Sequence, residues 1–287
     1  MSLVYVFVGH TCLHVLGLVA GILLGPIDSL PLVLTTWPYQ DAVEAGWRTL
    51  TTGQGSAVDA VEATGHSCEM AQVTHNVGAV GGLRRIKQAI SVARKVLDNT
   101  DHTLIVGDQA TQFAVEMGFT EENLTSDFSR QIWEAWRNNS CQPNFRENVV
   151  PDPNKFCGPY HPVNSRTARS TANENPRVGD TPIAGAGSYA DTDIGAAACT
   201  GNGDIMMRFL PSYQAVSLMG TGMSPQNAAQ RAIDTIVRKY PTFKGAVVAA
   251  DKHGNYGAAC HVWTNFAITA KTPALPNVTV FNITCSS

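Results

Sequence analysis

The sequence predicts a mixed α/β fold in which layers of helix and strand pack on one another. Apolar runs typical of strands occur in "LPLVLTTWPY", "HTLIVG" and "FKGAVVAA", and amphipathic helical patterns lie between them. The sequence contains no dinucleotide-binding glycine fingerprint, no P-loop and no repeat period. These three observations favour an α/β sandwich with packed layers.

The N-terminal half predicts alternating strands and helices. A strand is expected in "LPLVLTTWPY", and two helical pieces follow in "DAVEAGWRTLTTGQGSAVDAVEA", broken by Gly53 and Gly55. Residues 108–117 predict a further helix, directly after the apolar strand "HTLIVG". The helix predicted in "LRRIKQAISVARKVLDN" places four residues on one face, namely Ile86, Ile90, Ala93 and Leu97.

The C-terminal half begins with a loop-rich region and ends in a predicted hairpin. Residues 120–176 carry six prolines, a density that disfavours long helices and central strands. "MSPQNAAQRAIDTIVRKYP" predicts a helix with Ser224 as its N-cap and Pro225 at its first position. "FKGAVVAA" and "YGAACHVWTNFAITA" then predict two strands of a hairpin around the turn "DKHGN".

Composition and charge restrict the classes of partner. The 287 residues are 44% hydrophobic and 15% charged, values typical of a soluble globular protein. The formal net charge is -3, and the lysines and arginines are scattered apart from the short "LRRIK". Because no basic field is present, a nucleic-acid partner is not expected.

The N-terminus predicts a cleaved secretory signal at residues 1–29. Its apolar run "LHVLGLVAGILL" has the length of a signal-peptide core and is too short to span a membrane, although no Lys or Arg precedes it. A buried helix is the alternative. N-glycosylation sequons agree with a secretory route and occur at Asn123, Asn138, Asn277 and Asn282. We expect a lysosomal or secreted protein without a membrane anchor after signal removal.

The cysteines suggest disulfides rather than a metal site. Cys141 and Cys157 flank a proline-rich loop, and Cys260 and Cys285 could close a C-terminal loop. Two cysteines have no evident partner, Cys68 and Cys199. No C-x-x-C motif or His/Cys cluster is present, so neither a metal nor another cofactor is expected.

The glycine-rich stretch Arg177–Asp204 is the candidate binding site. Arg177 offers a fork suited to a carboxylate and Asp180 offers the opposite charge, so together they could hold an amino acid by its α-carboxylate and α-ammonium. The Thr200 hydroxyl and Gly201 N–H could face an oxyanion, with Asp204 capping a helix "IMMRFL". The alternative is a surface ion pair between Arg177 and Asp180, with the glycines forming turns.

The segment "RVGDTPIAGAGSYADTDIGAAACTGNGDIMMRFLPSYQAV" resembles the β-subunit signature of the glycosylasparaginase family. "LPLVLTTWPY", "SCQPNFRENVVPDPNKFCGPY" and "GAVVAADKHGNYGAAC" are also similar to segments of that family. The resemblance implies an Ntn-hydrolase fold, a four-layer αββα sandwich. It further implies cleavage of the amide that links N-acetylglucosamine to asparagine in lysosomal glycoprotein breakdown, with a small glyco-asparagine substrate and a homodimer of processed chains.

The resemblance also implies a role for each matching residue. Arg177 and Asp180 match the residues that hold the substrate's α-carboxylate and α-amino group, and Thr200 and Gly201 match the oxyanion pair. Trp37 matches an aromatic residue of the pocket, with a core Trp as the alternative. The same two binding segments also contain Val178, Gly179, Asn202 and Gly203.

The threonine nucleophile that the resemblance implies is not found. The family cleaves itself in an Asp-Thr-[Ile/Val]-Gly segment, and the freed threonine attacks the amide. Three Asp-Thr pairs are present, at Asp180, Asp191 and Asp234, but their positions do not match that segment. Thr167 and Thr171 lie nearest the expected place and lack the required neighbours.

Two internal deletions relative to the family are therefore predicted, near residues 70–77 and 161–176. The first leaves Cys68 without its usual local partner, because His66 stands at that position. We expect residues 30–287 to form a single, incomplete glycosylasparaginase-like domain with little or no turnover. The alternative is a non-catalytic pseudoenzyme or a secreted amino-acid-binding protein.

Overall fold

A computed structural model describes residues 31–52, 55–64, 70–73, 76–163 and 178–287. The chain divides into two compact units, one formed by Met1–Glu121 with Val178–Ser287 and the other by Glu122–Arg177. Helices and several sheets are both present, so the predicted mixed α/β class is confirmed. The expected signal segment lies outside the described residues.

The elements are numbered in chain order. The helices are α1 (Gln40–Thr51), α2 (Ala57–Thr64), α3 (Ala89–Asn99), α4 (Gly107–Glu116), α5 (Asp127–Asn138), α6 (Gly203–Phe209), α7 (Pro211–Gly220) and α8 (Pro225–Val237). The strands are β1 (Val33–Thr36), β2 (Met70–Val73), β3 (Asn76–Gly81), β4 (Leu104–Val106), β5 (Val149–Val150), β6 (His161–Pro162), β7 (Ser188–Asp191), β8 (Gly195–Gly201), β9 (Gly245–Asp251), β10 (Tyr256–His261), β11 (Phe266–Lys271) and β12 (Thr279–Ile283).

The largest sheet is antiparallel with strand order β10-β9-β8-β7. Because side chains alternate along a strand, β8 presents Ala197 and Cys199 to one apolar cluster and Ala198 to another. The first cluster contains residues of α7 and α8, including Val216 and Ile233. These two helices therefore cover one face of the sheet.

The second cluster joins this sheet to a three-stranded antiparallel sheet of order β1-β11-β12. Val248 of β9 packs there with Leu34 of β1 and with Ile268 of β11. On the other side of β1, Val33 packs with Val43 of α1 and with Ala60 of α2. The strand is thus buried on both faces, as a continuous apolar run predicts.

A third sheet, of order β2-β3-β4, pairs β3 antiparallel to β2 and parallel to β4. Helix α3 buries Ile90, Val92, Ala93 and Val96. The sequence prediction for this helix was wrong at its start, because α3 begins at Ala89 and the buried Ile86 precedes it.

A glutamine side chain protects the outer edge of β10. The Gln226 side-chain amide donates to the Ala258 carbonyl at 2.9 Å, and its oxygen accepts the Ala258 N–H at 3.1 Å. Gln226 lies in the first turn of α8, which the Ser224 hydroxyl caps by accepting the Asn227 N–H, as predicted. Helix α8 thereby satisfies a peptide group that a further strand would otherwise bind.

Two predicted elements differ from the structure. The run "YGAACHVWTNFAITA" forms two strands rather than one, because the chain turns at Val262, which has a φ of +64°, and β11 joins the other sheet. The loop-rich region also contains the 12-residue helix α5. Its prolines begin at Pro143, after α5, and Ser126 caps the helix by accepting the Ser129 N–H.

The second unit has little apolar core. Among its described residues, 122–163, only Cys141 is buried, whereas Phe128 and Phe145 are exposed. The predicted disulfide between Cys141 and Cys157 is present. With so little buried apolar surface, the covalent link must supply much of the unit's stability.

Replacing Cys141 and Cys157 together by serine should therefore unfold this unit locally. A disulfide that closes a loop of this length contributes about 3 kcal/mol, which exceeds what one buried residue supplies. Limited proteolysis should cut the double variant within residues 122–163 well before the wild type. Equal cleavage rates in the two proteins would show that the unit is held by other contacts.

Within the described ranges, no helix is both long and apolar enough to cross a bilayer.

Candidate active site

The site is built at the end of β8, where the chain enters α6. Thr200 is buried, and Gly201 has a φ of +136°, which favours glycine. The Asn202 N–H donates to the Lys244 carbonyl at 3.0 Å, and the Asn202 side chain accepts the Ile205 N–H. Asn202 is therefore the N-cap of α6, and the prediction that Asp204 caps this helix was wrong.

Trp37 lies beside Thr200. Its indole N–H donates to the Thr200 hydroxyl over 3.2 Å, although Trp37 directly follows β1 and Thr200 lies in β8, a strand of another sheet. The Trp37 backbone has a φ of +78°, and its carbonyl accepts hydrogen bonds from the Thr35 and Thr269 hydroxyls. A bulky residue held in this conformation costs about 1–3 kcal/mol, and such strain clusters at functional sites.

Two further aromatic residues, Trp263 and Phe266, pack against the Trp37 ring. Its ring meets Trp263 edge-on at 5.3 Å and Phe266 at 5.8 Å between ring centroids. Trp263 and Phe266 stack on each other at 5.6 Å. The sequence prediction did not include these two residues, because nothing in their local pattern indicates that they meet Trp37.

Asp180 lies against Gly203, three residues after Thr200. A Cβ added to Gly203 would lie 2.1 Å from the Asp180 carboxylate, so glycine is what allows the approach. Gly179, with a φ of +82°, and the exposed Val178 lead into this position. Arg177 lies outside the described residues.

The predicted residues are thus grouped. Asp180 contacts the segment Thr200–Gly203 at Gly203, and Trp37 contacts it at Thr200. A carboxylate, a buried hydroxyl, glycine-rich backbone and an indole are thereby arranged along one short stretch of chain. This set could bind a small polar ligand that carries an ammonium group.

Comparison with known proteins decides the family. A model of the asparaginase family, Asparaginase_2, matches residues 67–173 and 167–280. The chain belongs to the asparaginase family.

Curated proteins named as glycosylasparaginases are similar to this chain over most of their length. The rat protein named N(4)-(Beta-N-acetylglucosaminyl)-L-asparaginase is 45% identical over 294 residues, which cover 82% of this chain and 85% of the relative. The mouse protein of the same name is 44% identical over 298 residues, covering 83% and 86%. A putative N(4)-(beta-N-acetylglucosaminyl)-L-asparaginase of Drosophila sechellia is 38% identical over 315 residues, covering 86% and 80%. The resemblance to the glycosylasparaginases is confirmed.

Cys199 is unsuited to replace the threonine nucleophile that the resemblance to the glycosylasparaginases implies. It is a free, buried cysteine beside Thr200, and its sulfur lies 3.0 Å from the Ser212 hydroxyl. Burial raises the pKa of the thiol far above its ordinary value; the hydrogen bond with Ser212 lowers it by less, and the Asp180 charge raises it. Because the thiolate is the nucleophile, a buried thiol with a raised pKa is poorly suited to attack an amide at neutral pH. Its side chain also packs on the helix-covered face of β8.

The Asp-Thr pairs are placed where family-type self-cleavage is not expected. Asp234 and Thr235 lie within α8, and the Thr235 hydroxyl bonds to the Arg231 carbonyl. Asp191 ends β7, and Thr181 precedes the buried Pro182. Thr167, Thr171, His66 and Cys68 lie outside the described residues.

Proposed function

We propose that the chain recognises the aspartyl part of a glycosyl-asparagine and descends from an amidohydrolase that cleaves the sugar–asparagine amide. The observation that carries this proposal is the placement of Asp180 and Trp37 at the two ends of Thr200–Gly203. The relatives' names supply the substrate class.

Each group has a role in this proposal. Arg177 binds the α-carboxylate of the substrate and Asp180 binds its α-ammonium, since charge-assisted hydrogen bonds are the strongest available to an amino acid. Thr200 and the Gly201 N–H face the amide carbonyl, where negative charge develops during attack. Trp37 positions the Thr200 hydroxyl and lines the pocket with Val178, Gly179, Asn202 and Gly203 around it.

We propose the αββα sandwich for the fold. Three apolar clusters support this layer order. The first packs α7 and α8 on the four-stranded sheet, and the second packs that sheet on β1 and β11. The third packs β1 on α1 and α2.

We infer from the sequence that the expected threonine nucleophile is missing from this chain. The alignment with the rat relative spans 294 positions, more than the 287 residues of the whole chain, while covering only 82% of it. The relative therefore has residues for which this chain has no counterpart, which supports internal deletions; the sequence motifs alone place them near 70–77 and 161–176. Because the sequence contains no Asp-Thr-[Ile/Val]-Gly segment, we expect the chain to bind without efficient hydrolysis, as a lysosomal or secreted protein.

Calorimetric titration with L-aspartate tests the site. The wild type should bind weakly, with a dissociation constant of roughly 1 mM, because only part of the substrate is offered. Asp180→Asn should weaken binding by at least about tenfold, since it removes a charged partner of the α-ammonium. Arg177→Ala should abolish binding for the corresponding reason at the carboxylate.

Asp193→Asn is the matched control, because it makes the same charge change at an exposed residue before β8. It should bind like the wild type. If the wild type gives no heat with aspartate, or if the control weakens binding as much as Asp180→Asn, the proposed clamp is wrong.

A further inference from the structure

The sequon at Asn277 lies beside a cleft on the first unit, away from Thr200–Gly203. Asn277 is exposed, and the sequon Asn277-Val278-Thr279 leads into β12. The cleft has a volume of about 400 Å³ and is lined by Asn277 and by residues of α1 that include Glu44 and Trp47. This volume falls within the range of about 300–1,000 Å³ that is typical of small-ligand sites.

The backbone on both sides of Asn277 is fixed. The Lys271 ammonium donates to the carbonyls of Leu275 and Pro276, at 2.7 and 3.0 Å, directly before Asn277. Val278, directly after it, packs against the apolar cluster of β1, α1 and α2. A group attached to the Asn277 side chain would therefore start from one defined position at the mouth of the cleft.

The chemistry of the walls suits an uncharged sugar. Trp47 supplies an aromatic surface, with Lys271 positioned 5.2 Å from the ring centroid. The apolar face of a pyranose packs on such a surface. Gln40, Asp41 and Glu44 supply amide and carboxylate groups that can bond to hydroxyls and to an acetamido N–H. The charges on the wall are largely balanced, because Lys271 stands with Asp41 and Glu44, and the Glu44 carboxylate is paired with Arg48 at 3.2 Å.

We infer that Asn277 is an N-glycosylation site whose first sugars pack into this cleft against α1. In the modification, the Asn277 Nδ2 bonds to the anomeric carbon of N-acetylglucosamine on a polyprenyl-diphosphate oligosaccharide donor. The bond from that carbon to the diphosphate oxygen breaks, the polyprenyl diphosphate leaves with the electron pair, and one amide proton is released. The inference rests on the secretory location proposed above and is independent of hydrolysis.

Two variants that keep Asn277 test the attachment. Thr279→Ser retains the sequon and Thr279→Ala destroys it. The full chain is expressed in secretory mammalian cells, and glycopeptides of total cell and medium protein are mapped, so unfolded material also counts. Asn277 should carry a glycan in the wild type and in Thr279→Ser, and none in Thr279→Ala. An unmodified Asn277 in the wild type overturns either the acceptor site or the proposed secretory location, and a second expression experiment tells which.

A second expression experiment separates delivery of the chain to the secretory pathway from the ability of Asn277 to accept a glycan. With an established secretion signal fused ahead of Met1, Asn277 should again be glycosylated. A glycan at Asn277 only with the fused signal overturns the proposed location and upholds Asn277 as an acceptor. A bare Asn277 beside a glycosylated Asn123, Asn138 or Asn282 overturns the acceptor itself.

Hydrogen exchange tests the packing against α1. Amides of residues 40–51 should exchange at least about threefold more slowly in Thr279→Ser than in Thr279→Ala, because sugars on the cleft hinder local opening. The same pair made in bacteria without glycosylation should exchange alike, and Asn282→Gln made in mammalian cells should match Thr279→Ser. Equal exchange in the two mammalian variants overturns the cleft as the glycan's place.

Discussion

The purified chain should hydrolyse an aspartyl-amide chromogenic substrate only at a small residual rate, far below that of an active relative. It should also remain a single polypeptide. Loss of an essential nucleophile lowers turnover by about 10⁶-fold in enzymes where it has been removed. Here neither the buried Cys199 thiol nor an Asp-Thr pair takes its place.

The rat relative, at 45% identity, supplies the reference activity in the same assay. Intact-mass measurement under reducing conditions supplies the second readout, because self-cleavage would give two masses that sum to the mature chain. Turnover within about a hundredfold of the rat protein, or such a pair of masses, would refute the inactivity. Residual activity far below that level is expected, because substrate binding and the oxyanion groups alone give some catalysis.

Gly201→Ala should destabilise the protein by at least about 3 kcal/mol. A Cβ at this position would lie 2.3 Å from the Lys244 carbonyl oxygen and 2.5 Å from the Gly245 Cα. Both are backbone atoms at the start of the neighbouring strand β9. Removing the clash would therefore require β8 and β9 to separate. The positive φ adds strain for any residue with a Cβ.

Gly222→Ala separates these two causes. Gly222 also has a positive φ, +91°, but an added Cβ would meet no atom within 4 Å. We expect it to cost about 1 kcal/mol, the backbone contribution alone. Thermal and urea unfolding of the two variants and the wild type measure the difference. Equal destabilisation by the two substitutions would show that the close approach at Gly201 is unimportant.

The sequence predicted those parts of the fold whose signals are local. Ser224 and Pro225 mark the start of α8, and the spacing of Cys141 and Cys157 indicates their disulfide. The second disulfide, Cys260–Cys285, is also present. Caps, turn residues and short covalent loops depend on neighbouring positions, so the sequence carries them directly.

Features that depend on distant contacts could not be predicted. The break between β10 and β11 falls in "HVWTN", which contains no glycine or proline to mark a turn. Trp263 and Phe266 reach Trp37 only because β11 pairs with β1. Conversely, the grouping of Asp180 with Gly203 agrees with the sequence-based site, since both residues belong to one recognisable signature.

The amide of Gln226 has a consequence for the behaviour of the protein at high concentration. It occupies both hydrogen-bonding groups of Ala258 on the outer edge of β10, so a strand of another molecule cannot bind at that point. An open edge of this kind is a starting point for intermolecular sheet growth and fibril formation. The side chain that anchors α8 to the sheet therefore also protects the protein against aggregation.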